Sequence, residues 1–529
     1  MNTPVRARSW SESLATLIHP RVIAMLFLGL SAGLPILLIF SSLGLWLREA
    51  GLSRSAVTMF SWAALGYSFK FVWAPLIDRL PVPVLTARMG RRRAWILVSQ
   101  AAIIAAICWM ALTDPASGGS SLTMMAMAAV LLGFSSATQD IVIDAYRIES
   151  ADRDLQAMLS ATYIAGYRIG MLIAGAGAIY LAEVFGSTTE TYVYDAWRQA
   201  YLWMAAAMLI GVAATLVVPE PDHAKSDRHE HDTGHYLRFL ALFLLAVAGF
   251  VAVFVLSAGV VKEARAALTE TFDNRALAGF VVALVRLSVG IAVAGAIAFI
   301  GVRSGLADRD MVVDSYVAPL RDFFERYGLS LALLLLALIG LYRISDIVLG
   351  VISNVFYQDI GFTKSQIAGT VKTFGLFMTI AGGFIGGILA VRYGVIRVLF
   401  AGALLTVVTN LLFIVLNEAG PSMPLLYLVI SADNLTAGIA SAAFVAFLSS
   451  LTNVSFTAVQ YAIFSSLMTL VPKIIGGYSG TMVDSVGYSS FFMIAAALGV
   501  PVLLLIVLAA KRLKLKEPVV AEETAPVSP

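Results

Sequence analysis

The sequence predicts an all-α, polytopic membrane protein. Of its 529 residues, 59% are hydrophobic and only 13% are charged, and its mean hydropathy is +0.87. A soluble chain of this length needs a charged surface that this composition does not supply. Apolar runs recur throughout the chain, each long enough to cross a bilayer at about 20 residues per helix. The net charge of +3 is too small to indicate a nucleic-acid-binding protein.

The apolar runs predict about fourteen membrane-spanning helices. The first run is too long for the apolar core of a signal peptide, so we expect it to be retained as a helix. The predicted spans cover residues roughly 22–47, 55–77, 94–113, 122–147, 157–184, 198–218, 237–261, 277–302, 329–356, 366–391, 396–416, 423–450, 459–483 and 488–511.

Basic residues predict the orientation of these helices. They crowd the segment Gly90-Arg91-Arg92-Arg93 after the second span, and the tail from Lys511 to Lys516. The alternate loops, such as those near Asp114 and Glu418, carry almost none. An even number of spans returns both termini to one side, and the positive-inside rule places that side in the cytoplasm.

Two short segments repeat along the chain. Gly51-Leu52-Ser53-Arg54-Ser55 follows the first span, and Gly361-Phe362-Thr363-Lys364-Ser365 follows the ninth. Two six-helix halves in the same orientation are typical of the parallel repeats of a major facilitator carrier. We therefore predict a first half at 1–218, a second half at 329–516 and a disordered cytoplasmic tail at 517–529. The intervening segment 219–328 would hold a cytoplasmic linker and two extra central helices.

The acidic pair Asp140 and Asp144 lies within an apolar stretch. A spacing of four residues places both carboxyl groups on one face of a helix, one turn apart. A carboxylate at membrane depth costs at least ~2.5 kcal/mol, so the pair indicates a function such as proton coupling. The structural alternative for Asp144 is an ion pair with Arg147, three residues further on.

An ordered set of motifs resembles the AmpG-type muropeptide permeases, a family within the major facilitator superfamily. In the first half these motifs are Gly33-Leu34-Pro35, the segment from Lys70 to Arg79, Gly90 to Arg93, Ser136 to Ile141 with Asp144-Ala145, and Gly166-Tyr167-Arg168. In the second half they are Tyr342-Arg343 with Asp346, Lys372-Thr373 with Gly375-Leu376, and Gln460-Tyr461-Ala462. The resemblance runs from about His19 to Lys511, apart from the central hairpin.

The resemblance implies a proton-driven carrier of the bacterial inner membrane and not an enzyme. Its substrate would be an anhydromuropeptide, a disaccharide of N-acetylglucosamine and anhydro-N-acetylmuramic acid with or without a short peptide. No cofactor beyond the proton motive force is implied, no nucleic-acid partner, and the carrier would be a monomer in the lipid bilayer. Two alternatives stay open: a carrier of another bulky organic anion, such as acetyl-CoA or a peptide, and a muropeptide sensor that transports nothing.

Charged and polar residues within the predicted spans are candidates for substrate contacts. An anionic peptide needs positive partners, and Arg can hold a carboxylate through two parallel hydrogen bonds. We predict substrate binding by Gln139, Lys70, Tyr167, Arg168, Tyr342, Arg343, Asp346, Lys372, Gln460 and Tyr461. The structural alternatives are an ion pair between Arg343 and Asp346, a Lys70 side chain that reaches the membrane surface, and helix–helix hydrogen bonds for the amides and phenols.

The loop after the second span resembles a cytoplasmic signature of the superfamily. We predict a conformational latch on the inner face, without substrate contact, formed by Asp78, Arg79, Arg91, Arg92 and Arg147. The linker histidines, His223, His229, His231 and His235, lack the ordered spacing of a metal site, so we predict a solvated linker and no bound metal. The chain has no Gly-x-x-x-x-Gly-Lys-Ser/Thr loop and no His-Glu-x-x-His motif, which argues against ATP-driven transport and against a metalloprotease.

Overall fold

The computed structural model describes residues 16–52, 60, 66–150, 153–188, 191–221, 233–272, 275–363, 366–476 and 479–516. Within these residues the regular elements are helices and no strand occurs, which confirms the all-α prediction. Thirteen helices of the described part are long and apolar enough to cross a membrane. Ten residues of the predicted span 55–77, at 55–59 and 61–65, lie outside the described residues. The described remainder of this segment forms short turns of helix at Gly66–Phe69, Lys70–Val72 and Ala74–Arg79.

The predicted first half contains five long described helices. They are α1 (Pro20–Leu37), α2 (Arg91–Ala111), α3 (Gly119–Glu149), α4 (Arg153–Leu172) and α5 (Tyr194–Val217). Two π-helical turns, Leu38–Ser42 and Ile173–Gly177, connect α1 and α4 to the further helices Leu43–Glu49 and Ala178–Val184. A short helix, Leu85–Met89, precedes α2.

The chain divides into two compact units. The smaller unit comprises residues 78–80 and 227–322, and its helices are α6 (Thr233–Leu256), α7 (Ala258–Phe272) and α8 (Arg275–Arg303), followed by Arg309–Val312. Arg286 of α8 is held inside this unit, because its Nε donates to Ser257 Oγ at 3.0 Å and its guanidinium lies 4.6 Å from the centre of the Phe254 ring. These contacts account for an arginine within an apolar helix.

The larger unit comprises residues 1–77, 81–226 and 323–529, and so contains both predicted halves. Its second-half helices are α9 (Leu329–Leu341), α10 (Ile344–Asp359), α11 (Gly375–Tyr393), α12 (Val395–Ala419), α13 (Met423–Leu451), α14 (Thr457–Gly476) and α15 (Ser479–Lys516). A π-helical segment, Ile367–Phe374, runs directly into α11. Gly487, with φ +76°, interrupts the helical backbone of α15.

Glycines bring pairs of helices into backbone contact. A Cβ atom on Gly33 of α1 would lie 2.0 Å from the Tyr167 carbonyl oxygen of α4. In the second half, a Cβ atom on Gly382 of α11 would lie 2.0 Å from the Leu435 carbonyl oxygen of α13. Any larger residue would separate these helices. The close packing therefore fixes α4 and α13, which both carry candidate site residues.

The two halves meet mainly through α4, which packs against α11 and α13, and through α3, which packs against α14. A Cβ atom on Gly387 of α11 would lie only 2.9 Å from the Cβ of Ala161 on α4. Both residues lie towards the end of the unit that carries Arg91 to Arg93 and Arg147, which we term the arginine-rich end. The halves are thus in tight contact at this end.

Candidate functional site

A cavity of about 270 Å³ is lined by residues of both halves. The first half contributes Arg168, and the second half contributes the charged residues Arg343, Asp346, Lys372 and Asp433. The polar side chains of Ser353, Tyr357, Thr379, Asn434 and Ser441 complete much of the remaining wall. A concave site at the junction of two repeats, lined by convergent charges, is where a carrier binds its substrate.

Irregular helix geometry positions two of these cations. Arg343 lies at the break between α9 and α10, where it occupies the residue before the first turn of α10. Lys372 lies in the π-helical segment Ile367–Phe374. π-helical turns are rare and occur often at functional sites, and broken helices at membrane depth are tolerated where they line a cavity.

The charges of the cavity are only partly neutralised. Arg343 Nη2 lies 2.6 Å from Asp346 Oδ2, so these two form an ion pair. Arg168 and Lys372 make no ion pair or hydrogen bond with other residues in the described part of the chain, and the same is true of Asp433. Two positive charges and one negative charge are therefore available to a ligand.

The acidic pair of α3 lies next to this cavity in a buried polar cluster. Asp144 Oδ1 accepts a hydrogen bond of 3.2 Å from Arg147, and Asp144 Oδ2 lies 3.8 Å from Lys70 Nζ. Asp140 receives a hydrogen bond from Tyr163, but its Oδ1 has no hydrogen-bond partner among the described residues. Tyr167 is close enough to interact electrostatically with both Asp140 and Arg168. This phenol therefore connects the acidic pair with the cavity.

Arg147 joins the two halves. Its Nη1 donates to Ser160 Oγ of α4 at 2.9 Å and to Ser449 Oγ of α13 at 2.8 Å. Its guanidinium also lies 5.2 Å from the centre of the Tyr461 ring of α14. Because Asp144 holds the same guanidinium, the acidic pair is linked directly to the contact between the halves.

Several predicted substrate residues lie outside the cavity wall. Gln139 donates to Ser31 of α1, and the Tyr342 hydroxyl donates to the Leu399 carbonyl oxygen at 3.1 Å while its ring stacks on Phe444. Gln460 Oε1 accepts hydrogen bonds from Arg326 and from the backbone of Asn453. Each of these side chains bonds to protein, as the structural alternative describes. Their predicted role in substrate binding stays a prediction.

The arginine-rich end of the first half contains a further buried network. Arg92 Nε and Nη2 donate to the two carboxylate oxygens of Glu149 at 2.9 and 2.5 Å, with both side chains at most 2% exposed. The Glu220 carboxylate accepts from the backbone N–H groups of Arg92 and Arg93 at the start of α2. Arg93 donates to the carbonyl oxygens of Thr215 and Leu216 at the end of α5. This network ties α2, α3 and α5 together.

The other predicted latch residues lie near this network in the sequence. Asp78 is buried at the end of the helix Ala74–Arg79, and Arg91 is the first residue of α2. Arg79 donates to the Asp314 carbonyl oxygen at 3.2 Å within the smaller unit.

Three linker histidines, His223, His229 and His231, fall outside the described residues. The part of the chain that is described holds no group of three or more side chains suited to binding a metal.

Replacing Glu149 with Gln is expected to lower the free energy of unfolding by about 3–5 kcal/mol, because it leaves the Arg92 charge buried without its ionised partner. Unfolding of the purified protein in detergent measures this loss. The matched control is Asp195→Asn, which removes one member of the exposed pair with Arg198 and should cost about 1 kcal/mol or less. Similar losses for both variants would contradict a structural role for the buried pair.

Some residues of the candidate site escape sequence reasoning. Asp433 is not among the predicted site residues, although an acid within a predicted span is the same signal that indicates Asp140. Glu149 and Ser449 bond to the predicted latch residues Arg92 and Arg147, but no sequence pattern near Glu149 or Ser449 indicates these bonds. Ser449 is 302 residues from Arg147 in the sequence.

Relatives with transporter names match nearly the whole chain. The chain is 29% identical over 486 residues to the putative transporter AmpG 4 of Rickettsia conorii, covering 92% of this chain and 95% of that relative. It is 28% identical over 505 residues to the anhydromuropeptide permease of Escherichia coli, covering 95% of this chain and 82% of the permease. These similarities indicate a transporter and not an enzyme.

The fold is also similar to that of a solved transporter structure. The solved structure of the proton:xylose symporter XylE, a major facilitator superfamily protein, aligns with 94% of this chain at a TM-score of 0.55 and 13% identity, covering 96% of XylE. The sequence model of the major facilitator superfamily matches residues 21–354 and 334–529. This multi-pass membrane protein therefore belongs to the major facilitator superfamily of transporters.

Proposed function

We propose that this protein is a proton symporter that imports anhydromuropeptides across the bacterial inner membrane. The observation that supports this most strongly is the cavity between the halves, in which Arg168 and Lys372 form no ion pair or hydrogen bond with the described residues. A buried or membrane-embedded cation without a counter-ion is costly, so such residues favour an anionic ligand.

The chemistry of a muropeptide suits these cations. Its peptide carries several carboxylates, and Arg168 can hold one of them through two parallel hydrogen bonds while Lys372 attracts a second as a point charge. A cavity of about 270 Å³ is slightly smaller than typical ligand pockets of about 300–1,000 Å³. It therefore suits the charged end of a larger substrate, with the sugars outside the enclosed volume. The name of the Escherichia coli relative favours this ligand class.

Asp140 is the candidate proton carrier. One of its oxygens is buried without a hydrogen-bond partner among the described residues, and Lys70 and Asp144 are its charged neighbours. Taking up a proton removes a charge from this site, and releasing the proton restores it. Tyr167 provides a link to the substrate cavity, since it interacts electrostatically with both Asp140 and Arg168.

Asp144 is assigned a different part in the cycle. It orients Arg147, which bonds to Ser449 and lies over Tyr461 in the second half. Weakening of this hold on Arg147 would loosen the contact between the halves. We infer that charge changes in the acidic pair are coupled in this way to opening at the arginine-rich end.

We infer that the arginine-rich end faces the cytoplasm, with both termini on that side, as the positive-inside rule predicts. With the halves in contact there, Lys372 remains exposed. This arrangement suits a carrier that takes up its substrate from the periplasmic side and acts as a monomer. No cofactor is needed, because the proton motive force supplies the energy.

Uptake of labelled disaccharide-peptide by a Gram-negative strain that lacks its own permease tests the proposal. Expression of this protein should restore accumulation, and a protonophore should abolish it. Absence of uptake by a protein that is present in the membrane would contradict the assignment.

The same experiment separates the alternatives. Saturable binding without accumulation would indicate a sensor. Competition by coenzyme A thioesters, with no competition by unlabelled muropeptide, would indicate a carrier of acyl-CoA-like anions. Accumulation that persists with a protonophore would remove proton coupling from the proposal but leave the ligand class.

A further inference from the structure

The unpartnered acid in the cavity, Asp433, has no part in the proposed function. It lies on the membrane-spanning helix α13 and lines the same cavity as Arg168 and Lys372. An acid at membrane depth is costly, so its presence there indicates a function. Arg343 forms an ion pair with Asp346, and neither Arg168 nor Lys372 forms an ion pair with Asp433 in the described part of the chain.

The packing of α13 fixes the direction of this side chain. The neighbouring Asn434 accepts a hydrogen bond from Thr379 of α11 at 3.0 Å and donates to the Ile430 carbonyl oxygen at 3.1 Å. A Cβ atom on Gly438 would lie 2.2 Å from the Thr379 carbonyl oxygen, so the two helices touch through their backbones. α13 is thus anchored against α11 directly after this position, where Asp433 forms part of the cavity wall.

The electrostatic surroundings of Asp433 favour a positive ligand group. Asp346, which carries the same sign, interacts with it electrostatically, and so does the Tyr357 phenol. Both Asp346 and Tyr357 line the same cavity as Asp433. Among the described residues, no cation forms an ion pair with Asp433, so its carboxyl group is available to a positive ligand group.

We propose that Asp433 binds a primary ammonium group of the substrate, so that the cavity selects peptides that carry an amine as well as carboxylates. This inference rests on the proposed function and specifies the substrate class of the same site. An ammonium group brings three hydrogen-bond donors and the charge that Asp433 lacks, whereas a sugar hydroxyl would supply a hydrogen bond only. Arg168 and Lys372 remain available for the carboxylates of the same peptide.

Uptake of two matched ligands tests this inference. One is an anhydromuropeptide whose peptide carries a free side-chain amine, and the other is the same molecule with that amine acetylated. The wild-type protein should take up the free amine about tenfold better at subsaturating concentration. Asp433→Asn should reduce uptake of the free amine about tenfold more than uptake of the acetylated ligand, and Asp433→Glu should restore part of the preference.

The control is Asp195→Asn, which changes an exposed acid that is not part of the described cavity wall and should leave both uptake rates unchanged. Equal losses for both ligands in Asp433→Asn would overturn the inference and indicate a proton-carrying or structural acid instead. Equal uptake of both ligands by the wild-type protein would also overturn it, while leaving muropeptide import intact. Failure of the wild-type protein to take up either ligand would overturn the proposed function and this inference together.

Discussion

Replacing Arg168 with Glu is expected to lower muropeptide uptake on the order of 100-fold or more. Among the described residues of the first half, Arg168 is the one that lines the cavity, and it has no ion-pair partner in the described part of the chain. Removing one member of a desolvated charge contact costs about 2–5 kcal/mol, and about 1.4 kcal/mol corresponds to a tenfold change. A glutamate would in addition repel the carboxylates of the ligand. Initial uptake rates, normalised to membrane abundance, measure the effect.

Arg168→Lys keeps the charge but loses the planar guanidinium, so we expect an intermediate loss of uptake. Arg198→Glu is the matched control, because Arg198 is 41% exposed and forms its ion pair with the exposed Asp195. Uptake and thermal stability that fall in parallel in Arg168→Glu would favour a structural role. Full uptake by Arg168→Glu would exclude this residue from substrate binding.

Asp140→Asn is expected to abolish accumulation while leaving exchange of bound ligand across the membrane. The asparagine has nearly the same shape, so the neighbours of Asp140 on α3 and Tyr163 keep their positions, but the residue can no longer take up or release a proton. Counterflow in preloaded vesicles reports exchange without a proton gradient, and active uptake reports coupling. The loss of uptake should exceed about 100-fold, as expected for a proton-transfer group.

Asp195→Asn again provides the control, and it should preserve both counterflow and uptake. Asp144→Asn should behave differently from Asp140→Asn, because it frees Arg147 from its ion pair and loosens the contact with Ser449. Normal proton-driven uptake by Asp140→Asn would remove this residue from the mechanism. Loss of counterflow together with uptake would indicate a structural role for the carboxyl group.

The fold was largely predictable because the membrane imposes a simple pattern. Apolar runs of about 20 residues predict spanning helices regardless of their tertiary contacts. The interruption between α9 and α10 was not predicted, since residues 329–356 read as one continuous apolar span. The π-helical segment Ile367–Phe374 was also not predicted, because its sequence has the same periodicity as an α-helix. Both irregularities line the cavity, where tertiary packing decides the backbone.

The site was predictable only where neighbours in space are neighbours in sequence. The spacing of Asp140 and Asp144 placed them on one helix face, and the spacing of Arg343 and Asp346 allowed the ion pair that forms. The bonds from Arg147 to Ser449 and from Arg92 to Glu149 join residues that are distant in the sequence. The sequence around a charged residue does not indicate which distant residue will neutralise it. For the same reason the free charges of the cavity emerge only from the folded structure.

The most direct test of proton-coupled import uses the purified protein in liposomes with an imposed pH gradient, acidic outside. We expect labelled anhydromuropeptide to accumulate inside above its external concentration, and a protonophore to return it to equilibrium. Uptake that stops at equal concentrations on both sides, with or without the gradient, would contradict the proposed coupling to protons.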